Sequence, residues 1–194
     1  MTRIMITATA ALLALPTLAS AQALPAPVIA VVDVQRATTS CNACRTALTQ
    51  LEAQANGLRS LQTSLETSLR TEASSIQAAV TALAGKQADA VLNGRVTAFE
   101  RKQQDAQRQL QTREQTFQRN RAHVLQQIGT KLDPAVAAVL ARRGATVMLD
   151  AATVVKFSPS LEVTNDVVAA LNASLTTIST TAPAQARPAT PQGR

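Results

Sequence analysis

The sequence predicts an α+β fold. A long antiparallel α-helical hairpin of coiled-coil type projects from a small β body, and a short C-terminal helix closes the chain. Three observations point to it. Apolar residues recur at heptad spacing between positions 45 and 132. Short β-branched runs bracket that helical stretch on both sides. Aromatic side chains, the bulk of most compact cores, are reduced to Phe99, Phe117 and Phe157, with no Trp or Tyr.

The chain opens on MTRIMITATAALLALPTLASAQA, residues 1–23: one early positive charge, a short apolar core broken by Pro16, and small residues around a cleavage site after Ala21 or Ala23. This is the pattern of a secretory signal rather than of a membrane span. No later stretch approaches the roughly 18 apolar residues that spanning requires. The mature protein is expected outside the cytoplasm, in a place where disulfides persist. The remainder, 24–178, is one domain's length, followed by an expected disordered tail at 179–194, rich in Pro, Ala and Thr. The formal net charge of +7 drops by one when Arg3 leaves with the signal. A basic chain without interleaved aromatics lacks the stacking platforms of single-strand nucleic-acid binders, and export argues further against such a partner.

The body strands are expected at about 28–34 (VIAVVDV), 145–150 (ATVMLD) and 153–157 (TVVKF). The helical arm is expected at about 40–141. On its outgoing half one seam steps by seven from Leu48 through Ala55, Gln62, Leu69 and Ile76 to Leu83, and the other runs from Leu51 through Leu58, Leu65 and Glu72 to Ala79. The returning half places Leu92, Phe99 and Ala106 on one seam and Val96, Gln103, Leu110, Phe117 and Val124 on the other. Gly85 and the Asn93–Gly94 pair read as breakers between the halves, so the arm should fold back on itself. Pro134 should kink or restart the helix, and Gly144 should cap its end. Thr164 or Asn165 is placed to cap the closing helix. Strands so distant in sequence can pair only if the hairpin brings its ends together, and three short strands leave exposed edges that self-association commonly resolves.

Cys41 and Cys44 form a Cys-x-x-Cys pair where a strand gives way to a helix, the placement of a thioredoxin-like redox motif. That fold needs a partner strand soon after the helix, yet here some ninety residues of heptads follow. Two Cys and the single His123 cannot supply four zinc ligands. In an oxidising compartment the pair either packs as small residues or forms a local disulfide, and a disulfide stapling the strand-to-arm junction is the expectation. His123 sits on a helix with no orienting acid or nucleophile marked near it. No phosphate loop, nucleophile elbow or metal signature is present, so an enzyme and a cofactor are not expected.

Three motifs in order around the hairpin carry a family resemblance: IAVVDVQRA (29–37), LDPAVAAVLARRGATVMLD (132–150) and FSPSLEVTNDVVAALN (157–172). From about 28 to 172 the chain resembles the Skp (OmpH-like) family of periplasmic chaperones. The resemblance implies a homotrimer with a β body and three helical arms around a cavity. It also implies an ATP-independent holdase that keeps unfolded outer-membrane proteins from aggregating. This sequence departs from the family in arms poorer in Lys and Glu and richer in Gln, Thr and Ala, and in the added Cys pair.

The arm's charge is unequal. Residues 45–84 balance Arg45, Arg59 and Arg70 against Glu52, Glu66 and Glu72. The returning stretch 86–121 sets Lys86, Arg95, Arg101, Lys102, Arg108, Arg113, Arg119 and Arg121 against Asp89, Glu100, Asp105 and Glu114. An ordinary solvated helix face would account for this. The functional reading assigns Arg95, Arg101, Lys102, Arg108, Arg119 and Arg121 to attracting acidic clients or an anionic lipid or lipopolysaccharide surface. A non-enzymatic coiled-coil spacer or adaptor of the envelope is the alternative class.

Overall fold

The computed structural model describes residues 25–184; the expected signal segment and the last residues of the expected tail lie outside them. In chain order the elements are β1 (Ile29–Val32), α1 (Val34–Ser40), α2 (Asn42–Ala82), α3 (Ala90–Arg143), β2 (Val147–Asp150) and α4 (Thr164–Ser174), with 3-10 turns at Ala151–Thr153 and Pro159–Leu161.

β1 and β2 pair in parallel, Ile29 opposite Val147 through Val32 opposite Asp150. Parallel neighbours need a long crossover, and here the crossover is the entire arm. On its other side β1 meets a single parallel bridge from Val31 to Glu162, and the Val163 amide donates to the Val31 carbonyl at 2.9 Å. The third strand expected at 153–157 therefore does not form. Both edges of β1 are already taken, and the chain after β2 turns away at once. The Asp150 carboxylate accepts from the Ala152 amide at 3.1 Å, and the Thr153 hydroxyl donates to the Asp150 carbonyl at 2.8 Å. Val155 is left fully exposed. Its β-branched run is divided between the 3-10 turn, which ends at Thr153, and a bend at Val155.

The Asp33 side chain caps α1, accepting from the Arg36 amide at 2.8 Å. The fully buried Thr164 hydroxyl accepts from the Asp33 amide at 2.9 Å and donates to Glu162 Oε1 at 3.1 Å. Arg36 pairs with Glu162. The end of β1 is thus bound to the start of α4, where Val163 rather than Thr164 or Asn165 stands at the capping position. The core sits between these elements and the feet of the arm: Val32, Ala37, Ala47, Leu51, Val124, Ile128, Ala135, Val139, Val167 and Leu171. Its many alanines let the helices approach closely, since interaxial distance follows side-chain size.

The hairpin differs from the sequence pattern in three places. Gly85 (φ 88°) makes the turn together with Ala84 (φ 47°), whereas Asn93 and Gly94 lie inside the first turns of α3, behind an Asp89 cap that accepts from the Leu92 amide at 2.8 Å. Helix α3 continues through Pro134, whose exposed site lets water serve the carbonyl deprived of its partner. Finally, Gln62 is exposed and Leu61 is half-buried in its stead. An α-helix drifts about 20° per heptad against a strict seven-residue repeat, so positions 61 and 62 both border the interface and the apolar side chain turns inward. Gly144 caps α3 in the left-handed conformation at φ 63°, as its position predicts.

The expected onset of disorder at residue 179 is also corrected. Ile178 packs on the core, and residues 179–182 are hydrogen-bonded to both arm helices. Small polar residues can be ordered when side chains from elsewhere in the chain satisfy their backbone.

Leu171 is fully buried and Leu125 is half-exposed. Leu171→Ala should cost about 2–5 kcal/mol in urea unfolding, and Leu125→Ala should stay within about 0.5 kcal/mol of wild type. Equal shifts from the two would mean that the core does not lie at the α4–arm junction.

Candidate functional site

The arm is the largest feature that the body does not bury. Helix α2 has 41 residues and α3 has 54, so α2 alone spans about 60 Å at 1.5 Å per residue. Above the base only Leu92 and Ala106 are buried. Leu58, Leu61, Leu65, Leu69, Ile76, Phe99 and Leu110 are half-buried, because two helices cover only one side of each other's apolar stripe. These side chains are within reach of a third surface along the whole arm.

The basic residues divide by their angle around α3. At 100° per residue, Arg101, Arg108 and Arg119 fall within about 20° of one line, opposite the seam through Phe99. They span five turns, about 27 Å. All three are exposed, as are Lys102, Arg113 and Arg121. Arg108 pairs with Asp105 one turn away, and Arg119 donates to the Thr116 hydroxyl at 3.2 Å. Among the described residues no carboxylate lies within ion-pair reach of Arg101, Lys102 or Arg121. Arg95 is different. It flanks the seam and crosses it, reaching Glu72 at 3.2 Å and the Ser75 hydroxyl at 2.8 Å. Its charge is engaged in holding the two halves of the arm together.

The base of the arm carries a second polar layer, made of side-chain amides. Asn120, a buried residue, donates to Gln54 Oε1 at 2.9 Å. Gln54 Nε2 donates to the Thr180 carbonyl at 3.1 Å, and Asn120 Oδ1 accepts from the Ala182 amide at 2.9 Å. Gln127 makes a two-point clasp on Ser179, donating to its carbonyl at 2.9 Å and accepting from its amide at 3.0 Å. Adjoining it is a groove of about 560 Å³ lined by Gly57, Leu58, Leu61, Arg113 and Phe117, with Gln54, Asn120 and Thr181 shared with the amide layer. Sequence reasoning missed this layer. Its one signal was a pair of amides, Gln54 and Asn120, among apolar seam neighbours, and glutamine is too common in this chain to make that pair stand out.

The cysteines form a disulfide at 2.03 Å. Cys41 breaks the helical path between α1 and α2 and caps α2, its sulfur accepting from the Cys44 amide at 3.1 Å. Both residues are fully buried in the core, out of reach of an attacking thiolate. The bond ties the foot of the arm to the helix that follows β1. Among the described residues, no group of three His, Cys, Asp or Glu side chains is placed to hold a metal ion, and no helix is long and apolar enough to cross a membrane.

A family profile described as outer membrane protein (OmpH-like) matches residues 28–171. Among solved structures, the chain is similar to a protein from Caulobacter crescentus described as an OmpH-like outer membrane chaperone. The TM-score is 0.66 at 22% identity, over 81% of this chain and 90% of that one. At that identity the likeness is one of fold. No curated protein matches the sequence.

Because the disulfide closes a loop of only three residues' separation, its loss should act near the low end of the usual range for such bonds, about 2 kcal/mol. The Cys41→Ala/Cys44→Ala variant should unfold at lower urea with unchanged far-UV helicity. A collapse of helicity in that variant would show the bond to be needed for the arm itself.

Proposed function

The chain belongs to the OmpH-like family, and on that premise we propose that it is a chaperone of outer-membrane proteins: an ATP-independent periplasmic holdase. The observation that carries the reading is the arm. It offers some 60 Å of half-buried apolar seam and a row of three exposed arginines. An unfolded barrel protein exposes apolar stripes that it cannot yet bury. Many weak contacts along such an arm keep it from meeting other chains, and no single contact is strong enough to prevent release. Residues 1–23 act as the export signal, 24–178 as the chaperone domain.

The working form in this proposal is a homotrimer. A two-stranded sheet is marginal alone, and this one leaves Val28 and Ile29 of the β1 segment and Val147 and Leu149 of β2 exposed, with the second edge of β2 open. Three copies joined through that edge would cover these side chains and set three arms around one space, where several arms on one client add avidity through effective concentration. Basic arms speed capture of acidic clients, and an anionic lipid or lipopolysaccharide surface would be drawn by the same charge.

Two measurements test this. Static light scattering of the mature protein should give a trimer mass at micromolar concentrations; a monomer mass would overturn the assembly. In the second, a urea-denatured outer-membrane barrel protein is diluted into buffer with the chaperone, and turbidity should be suppressed without nucleotide. An envelope spacer would leave turbidity unchanged.

Charge should affect capture more than folding. Arg101→Gln/Arg108→Gln/Arg119→Gln replaces the row opposite the seam with good helix formers and spares Arg95, whose loss would also open the Glu72 contact. Client capture, followed by stopped-flow fluorescence, should slow several-fold at low salt, and wild type should slow likewise as salt shortens the reach of exposed charge to about 8 Å. Capture at the wild-type rate by this variant would reduce the row to a solvated face.

A further inference from the structure

Residues 178–182 form a strap across the base of the arm, and the way it is held has a chemical meaning. Four backbone groups are bonded by arm side chains: the Ser179 amide and carbonyl, the Thr180 carbonyl and the Ala182 amide. The partners are three carboxamides, Gln127, Gln54 and Asn120, drawn from both helices. A carboxamide offers a donor and an acceptor side by side, the complement of the N–H and C=O groups that a polypeptide backbone presents. Such recognition reads backbone, not sequence. The one apolar anchor, Ile178, is set in the core below, and the contact of the Thr180 hydroxyl with Gln50 Oε1 at 2.8 Å is its only specific side-chain bond to the arm. The same trough continues past Thr181 into the groove walled by Leu58, Leu61 and Phe117.

We propose that the base of the arm is a binding site for polypeptide backbone, occupied in cis by residues 178–182, which bend at Thr180 and Thr181, and yielded to a segment of an unfolded client. The strap supplies the docking geometry. An unfolded client segment carries the same repeating backbone groups, and the open groove beyond provides apolar walls for its larger side chains, which the strap, with Ser, Thr and Ala, leaves unfilled. The space beside Gly57 is open, since a Cβ built there meets nothing within 4 Å, so a large side chain at this lining position would extend into the groove. The strap lowers the apparent affinity for a client by the fraction of time it is docked, so it acts as a built-in competitor that speeds release. This proposal rests on the chaperone reading and adds to it one defined site.

The test uses full-length mature protein and a fluorescein-labelled peptide copy of residues 176–184. Ile178→Ser/Ala182→Pro loosens the strap without touching the arm: it removes the core anchor and the amide that Asn120 receives. By fluorescence anisotropy this variant should bind the peptide at least about five-fold more tightly than wild type. Adding Gln54→Leu/Asn120→Leu, which replaces two of the three carboxamides and leaves the Gln127 clasp, should weaken binding at least about ten-fold. In a separate arm, denatured barrel protein should displace the peptide from the loosened variant, and Gly57→Leu in that variant should weaken this displacement with helicity intact. Equal peptide affinity in wild type and loosened variant overturns the strap as competitor. Undiminished peptide binding after loss of both amides overturns the site, and failure of barrel protein to displace bound peptide overturns the client assignment. Turbidity suppression by wild type is scored independently, so the site can fail while the chaperone reading stands.

Discussion

The parallel pairing of β1 with β2 is the constraint on which the rest of the molecule depends. It joins Ile29–Val32 to Val147–Asp150, more than a hundred residues apart, and so obliges everything between them to leave the body and return. Once that is required, a helical hairpin is the economical solution, since each helix satisfies its own backbone however far it projects. Glu162 and Val163 close the other edge of β1, and α4 then covers the ground between the two feet of the arm. The Cys41–Cys44 bond, the Asp33–Thr164 contact and the bond from the Asn42 amide to Asn172 Oδ1 at 2.7 Å all sit where the outgoing foot leaves the body. A projecting lever concentrates its load at that joint, and the joint is where covalent and polar fastening is found.

Along the arm itself the packing is weak. A tightly sealed coiled coil would place Leu or Ile at nearly every seam position, whereas here Glu72 lies on the seam and Arg95 reaches it from the flank, with Gln54 and Asn120 nearer the body. Each polar layer costs some packing, but each is satisfied by a partner on the facing helix, and among the described residues no buried side-chain polar atom is left without one. Such layers fix the register of the two helices, and they leave the apolar positions between them shallow. Surface that is shallow in the resting arm is surface that can meet another chain.

Charge and apolar surface are also kept apart in angle. The Arg101–Arg108–Arg119 row lies opposite the seam, so the positive field of α3 acts from one side while its apolar surface lies along the other. Long-range attraction sets the rate of encounter, and short-range burial sets how long the encounter lasts. Both can remain modest if the contacts are many.

The sequence by itself determined what depends on near neighbours. The heptad spacing announced the arm, Gly144 the end of α3, the β-branched runs β1 and β2, and the order of three motifs the family. A helix face, a left-handed cap and a strand pattern are each written within a few residues, so composition and period suffice. The charge excess of the returning helix was legible, and so was the position of the cysteine pair. Tertiary structure decided what requires residues far apart in sequence. It assigned the second edge of β1 to Glu162 instead of the run at 153–157, because an edge accepts one partner and the bridge at 162 is secured by α4. It turned Leu61 inward instead of Gln62 and drew Arg95 into the seam, because facing side chains on α3 and α2 compete for the same space. It ordered residues 179–182, whose own composition favours disorder, because carboxamides from positions 54, 120 and 127 satisfy their backbone. Hydrogen-bond partners 52 to 130 positions away leave no periodic trace, and only the folded chain brings them to the same place.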